Sequence, residues 1–202
     1  MAVPRWMRTA VTLASLLGLT AARTAVAQQG MLVPVPSQAM LVERILTFDR
    51  ALEAQADTAF VIAVLYQPAY SASRDVRSEL ESYAATSRAT AWGRPVRWRF
   101  IGVEGTARVR AELQAVSADA VYLAPMRAID VRQLTAEAAS LHLVSYSGLP
   151  DHLRQGAAVA FGVRASRPRI LINLATARRA GADFTSQLLQ LADLTRDDGS
   201  LP

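Results

Sequence analysis

The sequence predicts one α/β domain, a sandwich of helices on a mixed, mostly parallel sheet, closed at its C-terminal end by a β-hairpin and a helix. Three observations carry this. Short apolar runs alternate with helical stripes, as parallel strands buried between helix layers do. Two strand-like runs at 157–163 and 169–174 are separated only by the turn 164–168, which pairs them as a hairpin. The 202 residues are 51% hydrophobic, which suits one sizeable core.

The N-terminus reads as an export leader. Arg5 and Arg8 precede an apolar run over 9–22, and Ala25-Val26-Ala27 stands before Gln28, the form of a secretory signal peptide cut after Ala27. The run is too short to span a bilayer, and Arg23 interrupts it, so the mature chain is expected to carry no membrane anchor. Trp6 and Met7 separate the two arginines, so the adjacent twin-arginine signal is absent. The expected plan is a signal peptide at 1–27, an extended lead-in at 28–36 whose Pro34 and Pro36 prevent an early helix, the domain at 37–196 and a polar tail at 197–202.

Ser37 is read as the cap of a helix to about Ala54, with Leu41, Ile45, Phe48 and Leu52 on the packed face and Glu43, Arg44, Asp49, Arg50 and Glu53 solvated. Residues 59–65 form the first central strand. Ser71 or Ser73 starts a helix carrying Val76, Leu80 and Tyr83. In 96–103, Val96, Trp98 and Phe100 alternate with Arg97 and Arg99, as in an edge strand with one wet face. Thr106 is expected to cap a third helix bearing Val109, Leu113 and Val116. A strand at 119–124, a helix at 127–139 and a strand at 141–146 follow, then the turn-rich loop 147–156.

The last stretch is the most informative. Asn173 caps a short helix, Arg178 and Arg179 fall in its last turn, and Gly181 ends it. Asp183 or Thr185 caps the next helix, where Phe184, Leu188 and Leu191 recur at helical spacing with Leu189 and Ala192 beside them. The segments INLATARRAG and SQLLQLA, in this order after a hairpin, resemble the end of the YfiR family of periplasmic proteins. The residues carrying the likeness are Asn173, Ala177, Ala180, Gly181, Leu188, Leu189 and Leu191. ERILTFDRALEAQADTAFVIAVLYQP and SYSGLPDHLRQGAAVAF are similar to the family's opening helix and strand and to its loop before the hairpin. Two departures stand out: Ser145-Tyr146 where relatives often have serine-aspartate, and Gly156-Ala157 where they have a glycine pair. The resemblance implies a periplasmic regulator that binds an inner-membrane signalling protein, a diguanylate cyclase or a histidine kinase, and a homodimer. The family's disulfide-based redox control cannot operate in a chain with no cysteine.

The residues themselves exclude several chemistries. Without cysteine there is no disulfide, thiolate metal site or lipid-bearing cysteine. The formal charge is +5, and +2 once the three arginines of 1–27 are removed, which is too slight for nucleic acid. All the basic residues are arginine, a matter of base composition before phosphate recognition. His142, placed in a strand, and His152 match no helical metal spacing and are read as structural. Ser145, Ser147, Asp151 and His152 cluster in sequence, but no G-x-S-x-G elbow is present, and a solvated loop accounts for them. Glu79 and Glu81 cannot face one another on a helix. No phosphate-cradling motif occurs. No catalytic residue, metal or cofactor is expected. The alternative function is small-solute binding between the loops 66–73 and 145–155. An exported hydrolase ranks third.

Overall fold

The computed structural model describes residues 31–54, 58–196 and 198–199. The cleavage residues Ala25, Ala27 and Gln28 lie outside them. Among the described residues the elements follow in order: α1 (Val35–Leu46), α2 (Arg50–Glu53), β1 (Phe60–Tyr66), α3 (Ser71–Thr86), β2 (Thr90–Ala91), β3 (Arg94–Gly102), α4 (Val109–Ala115), β4 (Ala120–Leu123), α5 (Val131–Ser140), β5 (Val144–Ser147), a 3-10 helix (Pro150–Gln155), β6 (Val159–Arg164), β7 (Arg167–Ile172), α6 (Leu174–Arg179), α7 (Ser186–Leu191) and β8 (Asp193–Leu194).

They build one eight-stranded sheet in the order β2-β3-β1-β4-β5-β6-β7-β8. The block β3-β1-β4-β5-β6 is parallel, and only β2 on β3 and β7 on β6 run antiparallel. The chain leaves β1 first toward β3 and then returns past it to β4, so the winding direction reverses at β1. Because side chains alternate along a strand, the sheet supports two cores. Phe60, Ile62 and Val64 share one with Trp98, Tyr122, Tyr146, Phe161, α1, α3, α6 and α7. Ala63, Leu65, Val121 and Leu123 share the other with α4 and α5.

The first helix starts earlier and stops sooner than the sequence suggests. Pro34 is the N-cap and Pro36 sits in the first turn, where a missing N–H costs nothing. The helix breaks at Thr47–Asp49 because the chain there pairs with the C-terminal segment. The Arg50 N–H donates to the Asp183 carbonyl, the Thr185 N–H donates to the Phe48 carbonyl, and Asp49 bridges to Phe184. Asp49 also caps α2. Glu43 and Asp49, expected in solvent, are 6% and 1% exposed, so the buried stripe runs through Ala39, Val42, Ile45 and Leu46 instead.

Further along, Thr106 does not cap α4; its hydroxyl donates to Gln133 Oε1 at 2.7 Å on α5. The helix expected from residue 127 begins at Val131, where Asp130 caps it through the Arg132 N–H. His142 lies before β5 in a turn with φ 58°, not in the strand. The loop before the hairpin is a 3-10 helix ended by Gly156 at φ 92°. The hairpin turn is tighter than expected, with only Ala165 and Ser166 between the strands, both at positive φ. Beyond α7 the chain adds β8, a short parallel edge on β7 fastened by Arg169 to Asp193, whose carboxyl that hydrogen bond holds below its usual range. No local pattern of residues marks this strand, which is two residues long.

Candidate functional site

In a doubly wound sheet the natural ligand position is the crevice beyond the carboxyl ends of the strands where the winding reverses. Here that crevice lies between β1 and its neighbours. Its polar groups bind one another. The Gln67 carboxamide oxygen, just after β1, accepts the Arg127 N–H from the loop after β4 at 2.8 Å. The Ser73 hydroxyl accepts the Gln67 N–H at 2.8 Å and holds the start of α3 to the same loop. Below them Gln38 of α1 is fully buried; it donates to the Val33 carbonyl and accepts from the Tyr122 hydroxyl. Gly148 after β5 admits that carboxamide, since a Cβ there would stand 2.3 Å from Gln38 Oε1. Beside β3 an open depression of about 460 Å³ is lined by Gly102, Glu104, Arg108 and Glu112.

The serine-histidine cluster is brought together in part. Ser147 Oγ lies 2.8 Å from His152 Nδ1, spans to the Leu123 carbonyl at 3.2 Å and accepts the Leu149 N–H. Ser147 is fully buried and His152 is 4% exposed, so the pair locks the end of β5 to the 3-10 helix beneath the surface. This differs from the solvated loop the sequence suggests, because the 3-10 helix packs against β6 and seats Leu153 on Ala160 and Leu171. Asp151 points away, exposed and paired with Arg154 at 2.6 Å. Ser145 Oγ accepts the Ala158 N–H at 3.1 Å. Burial lowers the His152 imidazole from its ordinary value to about 4, with Asp151 only partly opposing. A nucleophile needs an open approach, which burial denies this serine, and the same burial makes the imidazole beside it a weak base. Among the described residues no group of three or more His, Asp or Glu could hold a metal ion.

A buried carboxylate that sequence reasoning missed lies between α1, α3 and β3. Glu43 accepts from Tyr83 Oη at 2.5 Å, Ser87 Oγ at 3.0 Å and Trp98 Nε1 at 2.9 Å. Trp98 stacks edge-on with Tyr83 and Tyr122 at 6.4 and 6.5 Å. Burial first, and then the Glu43 bond, pushes the Tyr83 hydroxyl up to about 12. The signal that could have found it is positional: Glu43 is four residues after buried Ala39 and three before Leu46.

The residues behind the family resemblance are mostly structural. Asn173 Oδ1 accepts the Thr176 N–H at 2.9 Å, and Ala177 and Ala180 are buried. Gly181 ends the turn at φ 86°. Thr185, not Asp183, caps α7, and Asp183 instead pairs with Arg50. Leu188 is 1% exposed and Leu189 packs at the margin, but Leu191 is 59% exposed because α7 stops there and the chain turns into β8. Ala157, where relatives have a second glycine, is a fully buried core residue; the left-handed conformation falls on Gly156 alone.

Fold and site together define a doubly wound α/β domain whose polar groups at the strand ends fasten its own loops. The model of the YfiR/HmsC-like family matches residues 37–193, and the chain belongs to that family. No curated protein matches it. Three solved structures share the fold at low identity. A conserved domain protein from Vibrio cholerae O1 biovar El Tor is 16% identical with a TM-score of 0.57, over 80% of this chain and 60% of that one. An ABC domain in complex with L-Trp from Streptococcus pneumoniae is 12% identical with a TM-score of 0.54, over 80% and 61%. A ligand-free, open substrate-binding protein with adhesive properties from Clostridium difficile is 14% identical with a TM-score of 0.55, over 81% and 60%. The chain thus spans about 60% of the length of the solved structures it matches.

Proposed function

We propose that the mature chain is a periplasmic regulator that binds the periplasmic domain of an inner-membrane signalling protein, a diguanylate cyclase or a histidine kinase, and modulates its output without catalysis of its own. The observation that carries this reading is the family match over 37–193. The leader at 1–27 supports export. Among the described residues no helix is long and apolar enough to cross a membrane, so the folded surface is what meets the partner. The buried Ser147–His152 pair supports a role other than hydrolysis.

Small-solute binding is the second reading, and the observation in its favour is the substrate-binding protein and the L-Trp complex among the fold neighbours. Against it, the crevice at the winding reversal is bridged by Gln67 and Arg127. The test is in-cell crosslinking of the tagged mature protein, with an unrelated periplasmic protein as control. Recovery of one inner-membrane cyclase or kinase is the expected result. Recovery of nothing specific, together with a rise in melting temperature on adding one member of a solute panel, would overturn it in favour of solute binding.

A further inference from the structure

Of the nine residues of β3, only the first few have a neighbour on the outer side. β2 pairs with Arg94 and Pro95, and the Val96 N–H donates outward to the Ala89 carbonyl. On the inner side β3 is aligned with β1 from Val96 to Gly102. Backbone groups alternate in direction along a strand, and Val103, an odd position, donates inward to the Tyr66 carbonyl. The N–H and C=O groups of Trp98, Phe100 and Gly102 therefore point out of the sheet, and among the described residues nothing bonds to them there. This is an open edge about five residues long.

Its two faces differ. On one, Val96 and Phe100 are half-buried beside Trp98. On the other, Arg97 and Arg99 are exposed, and neither forms an ion pair among the described residues. Charged side chains on an edge strand deter wrong pairing, and they also select a right one. A second copy of this chain meets repulsion in two antiparallel registers: pairing centred on Trp98 sets Arg97 against the copy's Arg99, and pairing centred on Arg99 sets that residue against itself, where like charges directly opposite repel. Pairing centred on Phe100 sets Arg99 against Ile101 and leaves both arginines without an acidic partner, which a different chain carrying carboxylates supplies.

We propose that the open edge of β3 is a docking strand for an extended segment of a different protein that carries carboxylates at alternate positions, facing Arg97 and Arg99. Main-chain bonds to Trp98, Phe100 and Gly102 supply the register, and the two arginines supply the choice of partner. The inference rests on the regulatory reading, since it describes how such a partner would be held.

The test uses a blocked synthetic peptide, Thr-Glu-Val-Glu-Val-Glu-Thr, and its counterpart with lysine for glutamate, titrated into isotope-labelled mature protein at low salt. The expected result is that the acidic peptide shifts the amide resonances of Trp98, Phe100 and Gly102 and slows their hydrogen exchange by roughly tenfold, while the lysine peptide does not. The double variant Arg97→Glu/Arg99→Glu is expected to reverse that preference, and an unchanged melting temperature shows that it is folded. Equal response to both peptides, or no response at these amides at millimolar peptide, overturns the proposal. So does protection that grows with protein concentration alone, which would assign the edge to a second copy. Because the peptides replace the natural partner, these outcomes are independent of whether crosslinking recovers a signalling protein.

Discussion

The imidazole of His152 is held neutral by burial, with a folded pKa of about 4 against an ordinary 6.5. As pH falls the unfolded chain takes up a proton first, so the stability this ring contributes is full above about 6.5 and is lost between 6.5 and 4. The loss amounts to about 3 kcal/mol. Asp49 acts in the opposite sense. Burial raises its carboxyl above 3.8, so the native state is protonated first and gains stability as pH falls through that raised value. Urea unfolding at pH 7 and pH 4.5 is expected to show a net fall; His152→Asn should remove most of it, and Asp49→Asn should deepen it. At this scale the local features were legible. Asn173, Thr185 and Gly181 act on backbone within three or four residues. Ser147 and His152 are only five apart, yet their burial was not legible, because the 3-10 helix that encloses them has no apolar period of its own. The position of Glu43 on the packed stripe hints at its burial, but its donors were not legible, because Tyr83, Ser87 and Trp98 come from elements 40 to 55 residues away.

Among the elements, the β6–β7 hairpin carries a visible mismatch between sequence and geometry. Ala165 and Ser166 have φ of 49° and 60°, the positive values a type I′ turn demands and that asparagine and glycine adopt most easily. Replacing them together, Ala165→Asn/Ser166→Gly, is expected to stabilise the protein by about 1 kcal/mol, read as a higher urea midpoint at unchanged slope. An unchanged or lower midpoint would show that the flanking strands impose the turn without strain. The alternation of strands and helices was readable because each buried strand is an apolar run bounded by turn formers. The ends were less so. α1 stops at Leu46 through pairing with residues near Asp183, and β8 exists because β7 offers an edge, neither of which a local window contains.

Across the whole molecule, the two ends of the described chain meet at one clasp. Asp49 Oδ1 accepts the N–H of Ala51 at 3.1 Å and of Asp183 at 2.9 Å, while Arg50 and Asp183 form a two-point ion pair in solvent. The ion pair is over half exposed on both sides and screened by solvent, so Arg50→Ala is expected to leave the urea midpoint almost unchanged. Asp49→Ala leaves two N–H groups without their acceptor and should cost about 2 kcal/mol. Asp49→Asn keeps an oxygen in place without the charge that burial penalises, and should match or exceed the parent at pH 7. Equal losses for all three variants in urea unfolding would mean that the clasp adds nothing beyond side-chain packing.

The partners in that clasp are 134 residues apart, which has a consequence in time. A chain made from its N-terminus produces α1 and the Asp49 junction long before Asp183 and Phe184 exist. Until the last segment emerges, the junction has no acceptor or donor to close on, and the apolar side of α1 is incompletely covered. The final docking step must therefore bring together first-made and last-made residues, and a chain truncated before residue 183 cannot complete it.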